Sequence, residues 1–207
     1  MAYRRTDRVV ERLAETRERI LSSALDLVSK GGYRAASVAA VAERAGVATG
    51  SVYRHFESKA ELFAEVFRRA SQRELDVVRA VGSEPGSARD RLARGFETFA
   101  RRALRGRRLA YALLAEPADP AVDEERLRFR RAYRDAFATV LRQGIAAGEF
   151  PPLDVDVAAP ALVGAMGEAL VGPLSPRGRA RDVDDLVASI VGFCMNALSR
   201  EERYAHA

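Results

Sequence analysis

The sequence has few of the residues from which most chemical sites are built. It contains one cysteine, Cys194, so no disulfide can form within the chain, as is usual in a reducing cytoplasm. Between Phe193 and Met195, this thiol is interpreted as a buried core residue, with a reactive thiol as the alternative. The two histidines, His55 and His206, are too few for a histidine-based metal site or catalytic triad. We therefore expect no metal and no cofactor.

Signals for secretion, membrane insertion and phosphate binding are missing as well. The first residues, MAYRRTDRVVERL, are charged and lack the apolar stretch of a secretory signal. No apolar run approaches the length of a membrane span, and there is no glycine-rich phosphate loop, internal repeat or low-complexity tract. We expect a soluble, cytoplasmic protein.

Helical patterns account for most of the chain. With 207 residues, 48% of them hydrophobic, it is long enough to bury a core as one or two domains. Apolar residues recur at helical spacing, and no segment has a convincing strand pattern. The sequence therefore predicts an all-α fold of about nine helices. Apart from two short helices treated next, they are expected at residues 8–30, 58–81, 89–104, 109–115, 121–147, 154–171 and 182–198.

The stretch SVAAVAERAGVATGSVYRHFESKAEL, residues 37–62, has the pattern of two short helices joined by a tight turn. Ser37 can cap the first helix, and Gly46 can end it in the left-handed conformation. The inward residues of the first helix are Val38, Val41, Ala42 and Ala45. The second helix turns Val52 inward with Phe56. Its other face is polar and carries Thr49, Gly50, Ser51, Tyr53, Arg54 and His55. This is the build of a helix-turn-helix, whose second helix enters the DNA major groove.

Positive charge is concentrated in the same part of the chain. Residues 1–60 hold 11 basic and 7 acidic residues, a net charge of +4, whereas the remaining 147 residues hold 23 and 22, a net charge of +1. A surface that binds phosphates needs such a basic excess. The placement of the charge therefore favours DNA binding.

These residues resemble the DNA-binding signature of the TetR family of bacterial transcriptional repressors. The matching residues are Ala42, Ala45, Gly46, Val47, Gly50, Tyr53, His55, Phe56, Ser58 and Lys59. The sequence departs from the family at Ala48, where Ser or Thr is usual, so we expect Thr49 to cap the second helix. It also departs at Ala60, where an acid is frequent, but Ser58 and Glu61 still predict a capping box for the next helix.

The resemblance implies a helix-turn-helix domain over residues 1–57 and a helical domain for effector binding and dimerisation over residues 58–207. Such a protein is a ligand-responsive repressor that binds a palindromic DNA operator as a homodimer and is released by a small apolar or amphipathic effector. The resemblance also places Lys59 on the phosphate backbone, with an ordinary surface lysine as the alternative. Tyr53 and Ser37 would contact phosphates too, and base edges would be read by Thr49, Ser51 and Arg54.

Two arginine-rich segments have two interpretations each. Arg8 and the preceding residues Tyr3, Arg4 and Arg5 form either a solvated terminus or an arm that reaches DNA phosphates or the minor groove. The run RRALRGRR at residues 101–108 is either a solvated helix end or an anion-binding lip of a ligand pocket.

Aromatic residues recur on the helices that the resemblance assigns to the effector domain. Each alone is expected in the core, but as a set they predict the walls of a small-molecule pocket. They are Phe63, Phe67, Phe96, Phe99, Tyr111, Phe129, Tyr133 and Phe137. An aromatic, arginine-flanked pocket favours an amphipathic or acyl-type effector over a sugar.

The last two predicted helices differ from the others. Residues 154–171 are rich in small side chains, and residues 182–198 are apolar around so much of the helix that two sides need to be buried. In the resembled family these helices form the dimer interface, and a monomeric core is the alternative. The predicted interface residues are Ala161, Gly164, Ala165, Val187, Ile190, Val191 and Cys194.

Two functions of other classes stay open. The first is a DNA-binding protein of low sequence specificity, which would discriminate poorly against competitor DNA, whereas a specific regulator favours its operator by about a thousandfold or more. The second is an all-helical enzyme with a vestigial helix-turn-helix. It would need an acid–base pair or a nucleophile constellation, and the sequence shows none.

Overall fold

The computed structural model describes residues 7–178 and 182–199, which form nine α-helices and no strand. The helices are α1 (Asp7–Gly31), α2 (Val38–Ala45), α3 (Thr49–Tyr53), α4 (Lys59–Gly82), α5 (Ala88–Arg105), α6 (Arg107–Leu114), α7 (Pro120–Ala146), α8 (Val155–Leu174) and α9 (Val183–Asn196). The all-α prediction is confirmed, and each predicted end of the long helices differs from the observed end by at most three residues.

Two apolar cores share two long helices. The first core joins α1, α2, α3 and α4 as far as Leu75 to Ala112 of α6 and to Val122 and Phe129 of α7. The second core joins Val78, near the end of α4, to α5, α7, α8 and α9. Helices α4 and α7 therefore contribute to both cores, and they pack on each other more extensively than any other pair in the described residues. The boundary expected at residues 57/58 falls in the turn before α4, but apolar packing crosses it.

Local hydrogen bonds explain why the short helices begin and end where they do. The Ser37 hydroxyl accepts the Ala40 amide at 3.1 Å, which caps α2, and Gly46 ends that helix at φ 65°. The Ser58 hydroxyl caps α4 in the same way through the Glu61 amide, at 3.1 Å. The Glu61 carboxylate accepts the amide of Glu57, one residue before the position that a capping box uses. Of the two hydrogen bonds of the predicted capping box, the one to the Ser58 hydroxyl is confirmed. The other goes to the amide of Glu57 instead of that of Ser58.

The cap expected at Thr49 is wrong. The N-cap of α3 is Ala48, which has extended backbone angles and no side-chain hydrogen bond to the helix. Thr49 already lies inside the first helical turn, where its hydroxyl is past the position from which a side chain accepts the free amides. The Thr49 hydroxyl is therefore not used by a cap and stays exposed.

Helix α8 corrects a second expectation, that no apolar run approaches the length of a membrane span. It has 20 residues, with a mean hydropathy of 1.5 over an 18-residue window, and by length and composition alone it could cross a membrane. Only 28% of that window is buried within the chain. Leu162, Met166 and Leu170 turn inward to the second core, whereas Val157 is 64% exposed. The chain thus leaves one apolar face of α8 uncovered.

Candidate DNA-binding surface and ligand cavity

Helices α2 and α3 are fixed on α1 and α4 by the first core. Val41 and Ala45 of α2 are buried, and so are Val52 and Phe56, which hold α3 from beneath. The Arg19 Nε donates to the Ala45 carbonyl at 3.0 Å, which ties α1 to the end of α2. Because its inner side is anchored at these points, α3 presents its other side to solvent.

The residues predicted to contact DNA lie on α3 and at the starts of the two neighbouring helices. Thr49, Gly50, Tyr53 and Arg54 are exposed, and Ser51 and His55 are half-buried. Lys59 is exposed in the first turn of α4, with its Nζ 5.8 Å from the centre of the Phe63 ring. Ser37 is exposed at the start of α2, where its hydroxyl oxygen accepts an amide and its O–H stays available as a donor.

His55 adds hydrogen-bonding capacity to this surface without adding charge. Its partial burial lowers its pKa, and the nearby charges of Arg17 and Arg54 lower the pKa further. The imidazole is therefore neutral at pH 7. The positive charge of α3 comes from Arg54, with Lys59 at the start of α4.

Of the predicted amino-terminal arm, Tyr3, Arg4 and Arg5 lie outside the described residues, as does His206. Arg8 lies at the start of α1 and is exposed.

A cavity of about 570 Å³ lies among α4, α5, α6, α7 and α8. This is within the size range of small-molecule sites. Five of the eight aromatic residues predicted for a pocket line it: Phe67, Phe99, Phe129, Tyr133 and Phe137. Helices α6 and α8 contribute apolar residues to the cavity wall that are not among the predicted pocket residues: Leu109, Leu113, Pro160, Val163, Met166 and Val171.

Three predicted pocket residues lie elsewhere. Phe63 packs edge-on against Tyr33 in the first core, with ring centres 5.9 Å apart. Phe96 is fully buried behind Phe137, at 5.1 Å between ring centres. Tyr111 packs against the second core and does not line the cavity. Helical spacing assigns an aromatic residue to the inside of a helix, but it does not determine which neighbouring helix the residue meets.

Polar groups line the cavity wall at several positions. Glu74 on α4 and Arg102 on α5 form a two-point ion pair, at 2.6 and 2.9 Å. Burial, with the nearby Glu74 carboxylate, raises the pKa of Tyr133 well above its usual value, so its phenol stays protonated. Along α7 the lining includes four arginines: Arg126, Arg130, Arg131 and Arg134. The cavity therefore combines an apolar interior with hydrogen-bond donors and positive charge.

The arginine run at residues 101–108 is largely occupied by the chain itself. Arg101 pairs with Glu97 and Asp184, and Arg107 donates to the Pro173 carbonyl at 2.6 Å. Arg102 contributes to the cavity wall, but Glu74 neutralises it. The arginines of α7, which were not predicted, are the stronger candidates for contacts with an anionic ligand group. The signal for them was present in the sequence as RFRRAYR at residues 128–134, on the helix that carries the pocket aromatics.

The predicted dimer-interface residues divide into two groups. Val187, Ile190 and Cys194 are at most 5% exposed and pack in the second core of their own chain, so their assignment to a free interface is wrong. Burial also raises the pKa of the Cys194 thiol to about 11, which supports a core thiol over a reactive one. Ala161 and Gly164 are exposed on α8, and the remaining two predicted residues, Ala165 and Val191, are half-buried. The most exposed large apolar residue on α9 is Phe193, at 65%, which was not predicted.

Two family models match the chain in the regions that carry these two sites. The model of bacterial regulatory proteins of the tetR family matches residues 20–66, and the tetracyclin repressor-like C-terminal domain matches residues 85–198, more than half of the chain. The chain belongs to the TetR family. The resemblance inferred from residues 42–59 is thereby confirmed.

Individual relatives extend this assignment in part. The HTH-type transcriptional repressor KstR of Rhodococcus jostii is 51% identical over 59 residues, which are 28% of this chain and 28% of that protein. The chain thus matches less than a third of the length of KstR. The HTH-type transcriptional repressor KstR2 of Mycobacterium tuberculosis is 28% identical over 156 residues, which cover 73% of this chain and 78% of that protein.

A solved relative supports the fold over nearly the whole chain. The transcriptional regulator FadR from Bacillus subtilis, in complex with stearoyl-CoA, has a TM-score of 0.74 and covers 86% of this chain and 97% of its own. At 20% identity, this likeness supports the shared fold and no finer property.

Replacement of Gly50 by valine tests the groove-facing side of α3. A Cβ at Gly50 meets no atom within 4 Å in the free protein, so we expect Gly50→Val to leave the melting temperature nearly unchanged. On DNA the added side chain would keep the helix from the bases. Operator affinity should fall toward the nonspecific level, about a thousandfold. Gly50→Ala should lose less operator affinity than Gly50→Val. If a DNA-binding titration gives wild-type affinity for Gly50→Val, this side of α3 does not face the groove.

Lys59 is predicted to contact a DNA phosphate. Lys59→Ala should weaken binding about equally on all DNA sequences and should lower the slope of log affinity against log salt concentration by about one unit. The matched control is Lys30→Ala, which removes the chain's other lysine, already paired with Asp26 at 3.0 Å. A salt slope unchanged in Lys59→Ala, measured by titrations at several salt concentrations, would remove Lys59 from the phosphate-contacting surface.

Proposed function

We propose that this TetR-family protein is a ligand-responsive transcriptional repressor. Its homodimer binds a palindromic operator and releases it when a small apolar or amphipathic effector binds. The observation that carries the proposal is the shared first core: Phe67 and Phe129 line the cavity and also belong to the core that holds α2 and α3. A ligand that moves the cavity wall therefore acts on packing beneath the helix-turn-helix.

The proposed DNA contacts follow the exposure of each side chain. Thr49, Ser51 and Arg54 read base edges in the major groove, while Tyr53, Lys59 and Ser37 set the register on phosphates. His55 acts as a neutral hydrogen-bonding group. Two recognition helices in a dimer meet half-sites about one helical turn of DNA apart, which gives the operator its two-fold symmetry.

The proposed effector is an amphipathic molecule with an acyl-type apolar part and an acceptor or anionic group. The cavity interior is mainly aromatic and aliphatic, and arginines of α7 line one side of it. Arg130 and Arg131 are exposed there and make no ion pair within the described chain. The stearoyl-CoA bound by FadR, a neighbour in fold, has this combination of groups. Stearoyl-CoA is therefore the first probe to use.

The proposed dimer interface lies on the outward faces of α8 and α9. Val157, Ala161 and Gly164 form an uncovered stripe of mainly small residues on α8, and Phe193 is the large exposed residue on α9. Small residues let a helix of a second copy approach closely, and burial of Phe193 would remove a large apolar side chain from water. This arrangement also accounts for the apolar face of α8 that the chain leaves uncovered.

The two other function classes find less support. An enzyme needs a reactive group poised in its cavity. Of the two acids in the cavity lining, Glu74 is paired with Arg102 and Glu168 is exposed to solvent on α8. The relatives KstR and KstR2 are transcriptional repressors. We therefore propose no catalytic activity. A regulator of the bacterial chromosome works in the cytoplasm, which is the location that we propose.

Operator binding tests the proposed function directly. We expect tight, salt-sensitive binding by a dimer to DNA just upstream of its own gene in fluorescence anisotropy, with preference over competitor DNA of about a thousandfold or more. Selection of bound fragments from the whole genome covers operators at other positions. Selected fragments that share no sequence, with affinity lost to competitor, would contradict specific regulation and favour the low-specificity alternative.

Phe193 provides a test of the proposed interface. Because its side chain is 65% exposed in one chain, Phe193→Asp should split the dimer while helicity and cooperative unfolding persist. The matched control is Val10→Asp on α1, 52% exposed, which should stay dimeric. Ile190→Asp, at a position 5% exposed, should instead unfold the chain. A dimeric Phe193→Asp protein in light scattering at micromolar concentration would contradict an interface at α9.

A further inference from the structure

One arginine of the cavity wall is bound to the backbone of a different helix. Arg126 on α7 is 16% exposed at its side chain and lies over the ring of Phe67, 5.9 Å from the ring centre. Its Nε donates to the Leu113 carbonyl at 2.9 Å, and its Nη2 donates to the Ala112 carbonyl at 3.2 Å. These carbonyls belong to the last turn of α6, where a helix has no partners of its own for them. Arg126 therefore holds the end of α6 in place.

The same guanidinium also holds the residue that follows α6. Nη2 of Arg126 donates to the Glu116 carbonyl at 2.9 Å, and Nη1 donates to Asp123. A guanidinium has five N–H donors, and these contacts use four of them. One Nη1 hydrogen is left without an acceptor in the described residues, and Arg126 is part of the cavity lining.

Glu116 in turn binds the turn between α1 and α2. Its carboxylate is buried, with the residue 8% exposed, and accepts the Tyr33 amide at 3.0 Å and the Arg34 amide at 3.4 Å. The carboxylate occupies the space beside Gly32, where φ is 76° and a Cβ would lie 2.4 Å from Oε2. Buried amides and a buried carboxylate both need partners, so each side of this contact depends on the other.

The contact between Arg126, Glu116 and the α1–α2 turn, called the junction below, includes one buried polar group without a partner. The Tyr33 hydroxyl has no hydrogen bond within the described residues, and it lies within the electrostatic influence of Arg126 and Glu116. A buried donor without an acceptor raises the free energy of the arrangement that contains it. The free-energy difference between this arrangement and another one is smaller as a result. The junction is therefore suited to exchange between two arrangements.

We propose that Arg126 couples the ligand cavity to the helix-turn-helix through the end of α6 and the Glu116 carboxylate. This proposal rests on the proposed function. An effector with a carboxylate, phosphate or carbonyl oxygen near Arg126 binds the free Nη1 donor and competes for the other guanidinium donors. The carbonyls of Ala112, Leu113 and Glu116 then lose their partner. Glu116 shifts with the end of α6 and releases the amides of Tyr33 and Arg34, next to the start of α2.

The other arginines of the cavity do not make this connection. Arg134 pairs with the adjacent Asp135, and Arg102 pairs with Glu74. Neither donates to α6 or to the α1–α2 turn within the described chain. Arg134 is thus a matched control for Arg126, since both are arginines on α7 that line the same cavity.

Hydrogen–deuterium exchange of the full-length protein without ligand or DNA tests the coupling. In Arg126→Gln and in Glu116→Gln, the amides of Tyr33 and Arg34 should exchange about tenfold faster or more than in the wild type. Local opening is easier once the hydrogen bonds that hold the Glu116 carboxylate on these amides are weakened. In Arg134→Gln they should exchange at the wild-type rate. Exchange in α9 should stay unchanged in all three variants, which distinguishes local opening from global destabilisation.

Exchange at Tyr33 and Arg34 that is faster in Glu116→Gln but unchanged in Arg126→Gln would overturn the proposal, because the contact of Glu116 with these two amides would then not depend on Arg126. If Arg126→Gln also loses protection in α9, Arg126→Lys replaces it. Lysine keeps the charge but has one nitrogen in place of the planar fork, from which Nε and Nη2 reach the three carbonyls. The faster exchange at Tyr33 and Arg34 should therefore persist in Arg126→Lys, and its absence would overturn the coupling.

Operator titrations separate this proposal from the proposed function. Arg126→Gln should weaken operator binding without any effector by about fivefold or more, the lower end of typical coupling between sites, and Arg134→Gln should not. A wild-type protein that binds no operator would refute the proposed function, while the exchange data would still decide the coupling. Stearoyl-CoA at a saturating concentration should speed exchange at the same two amides in the wild type, and unchanged exchange with the probe bound would contradict the sensing role of Arg126.

Discussion

The hydrogen bonds from the amides of Tyr33 and Arg34 to the carboxylate of Glu116 join two parts of the chain that are 83 and 82 residues apart in sequence. They fix the turn that leads into α2 against the segment that follows α6. Gly32 is required at this point because its φ is positive and the carboxylate fills the space of a Cβ. The position of the helix-turn-helix on the rest of the molecule depends on this buried contact and on the apolar packing around it.

The same apolar packing connects the cavity to the helix-turn-helix. Helices α4 and α7 run through both cores, so Phe67 and Phe129 touch the cavity on one side and support the helix-turn-helix on the other. Protein interiors are close-packed, so they transmit a displacement instead of absorbing it. A ligand in the cavity can shift the population of DNA-binding arrangements only by its difference in affinity between them, and the Arg126–Glu116 connection provides one physical source of that difference.

Local rules predicted the parts of the structure that are determined locally. Ser37, Gly46 and Ser58 mark helix ends through hydrogen bonds and backbone angles within a few residues, and the structure places all three as predicted. Thr49 failed because the cap belongs to the last non-helical residue, which is Ala48. The exposed face of α9 could not be obtained from its sequence. Ile190 and Phe193 are both large and apolar, and only the position of the second core decides which of them is buried. The role of Arg126 depends on contacts across helices, which no spacing pattern encodes.

The central claim is that the cavity and the DNA-binding surface are energetically linked. It is tested most directly by measuring the affinity for stearoyl-CoA with and without bound DNA. Stearoyl-CoA is titrated into the free protein and into the protein bound to a DNA fragment that it has itself selected. Because coupling between two binding sites is reciprocal, stearoyl-CoA should bind the DNA complex more weakly, by the same factor by which it weakens DNA binding. Equal affinities for the free and the DNA-bound protein would show that the two sites are independent and would contradict the account.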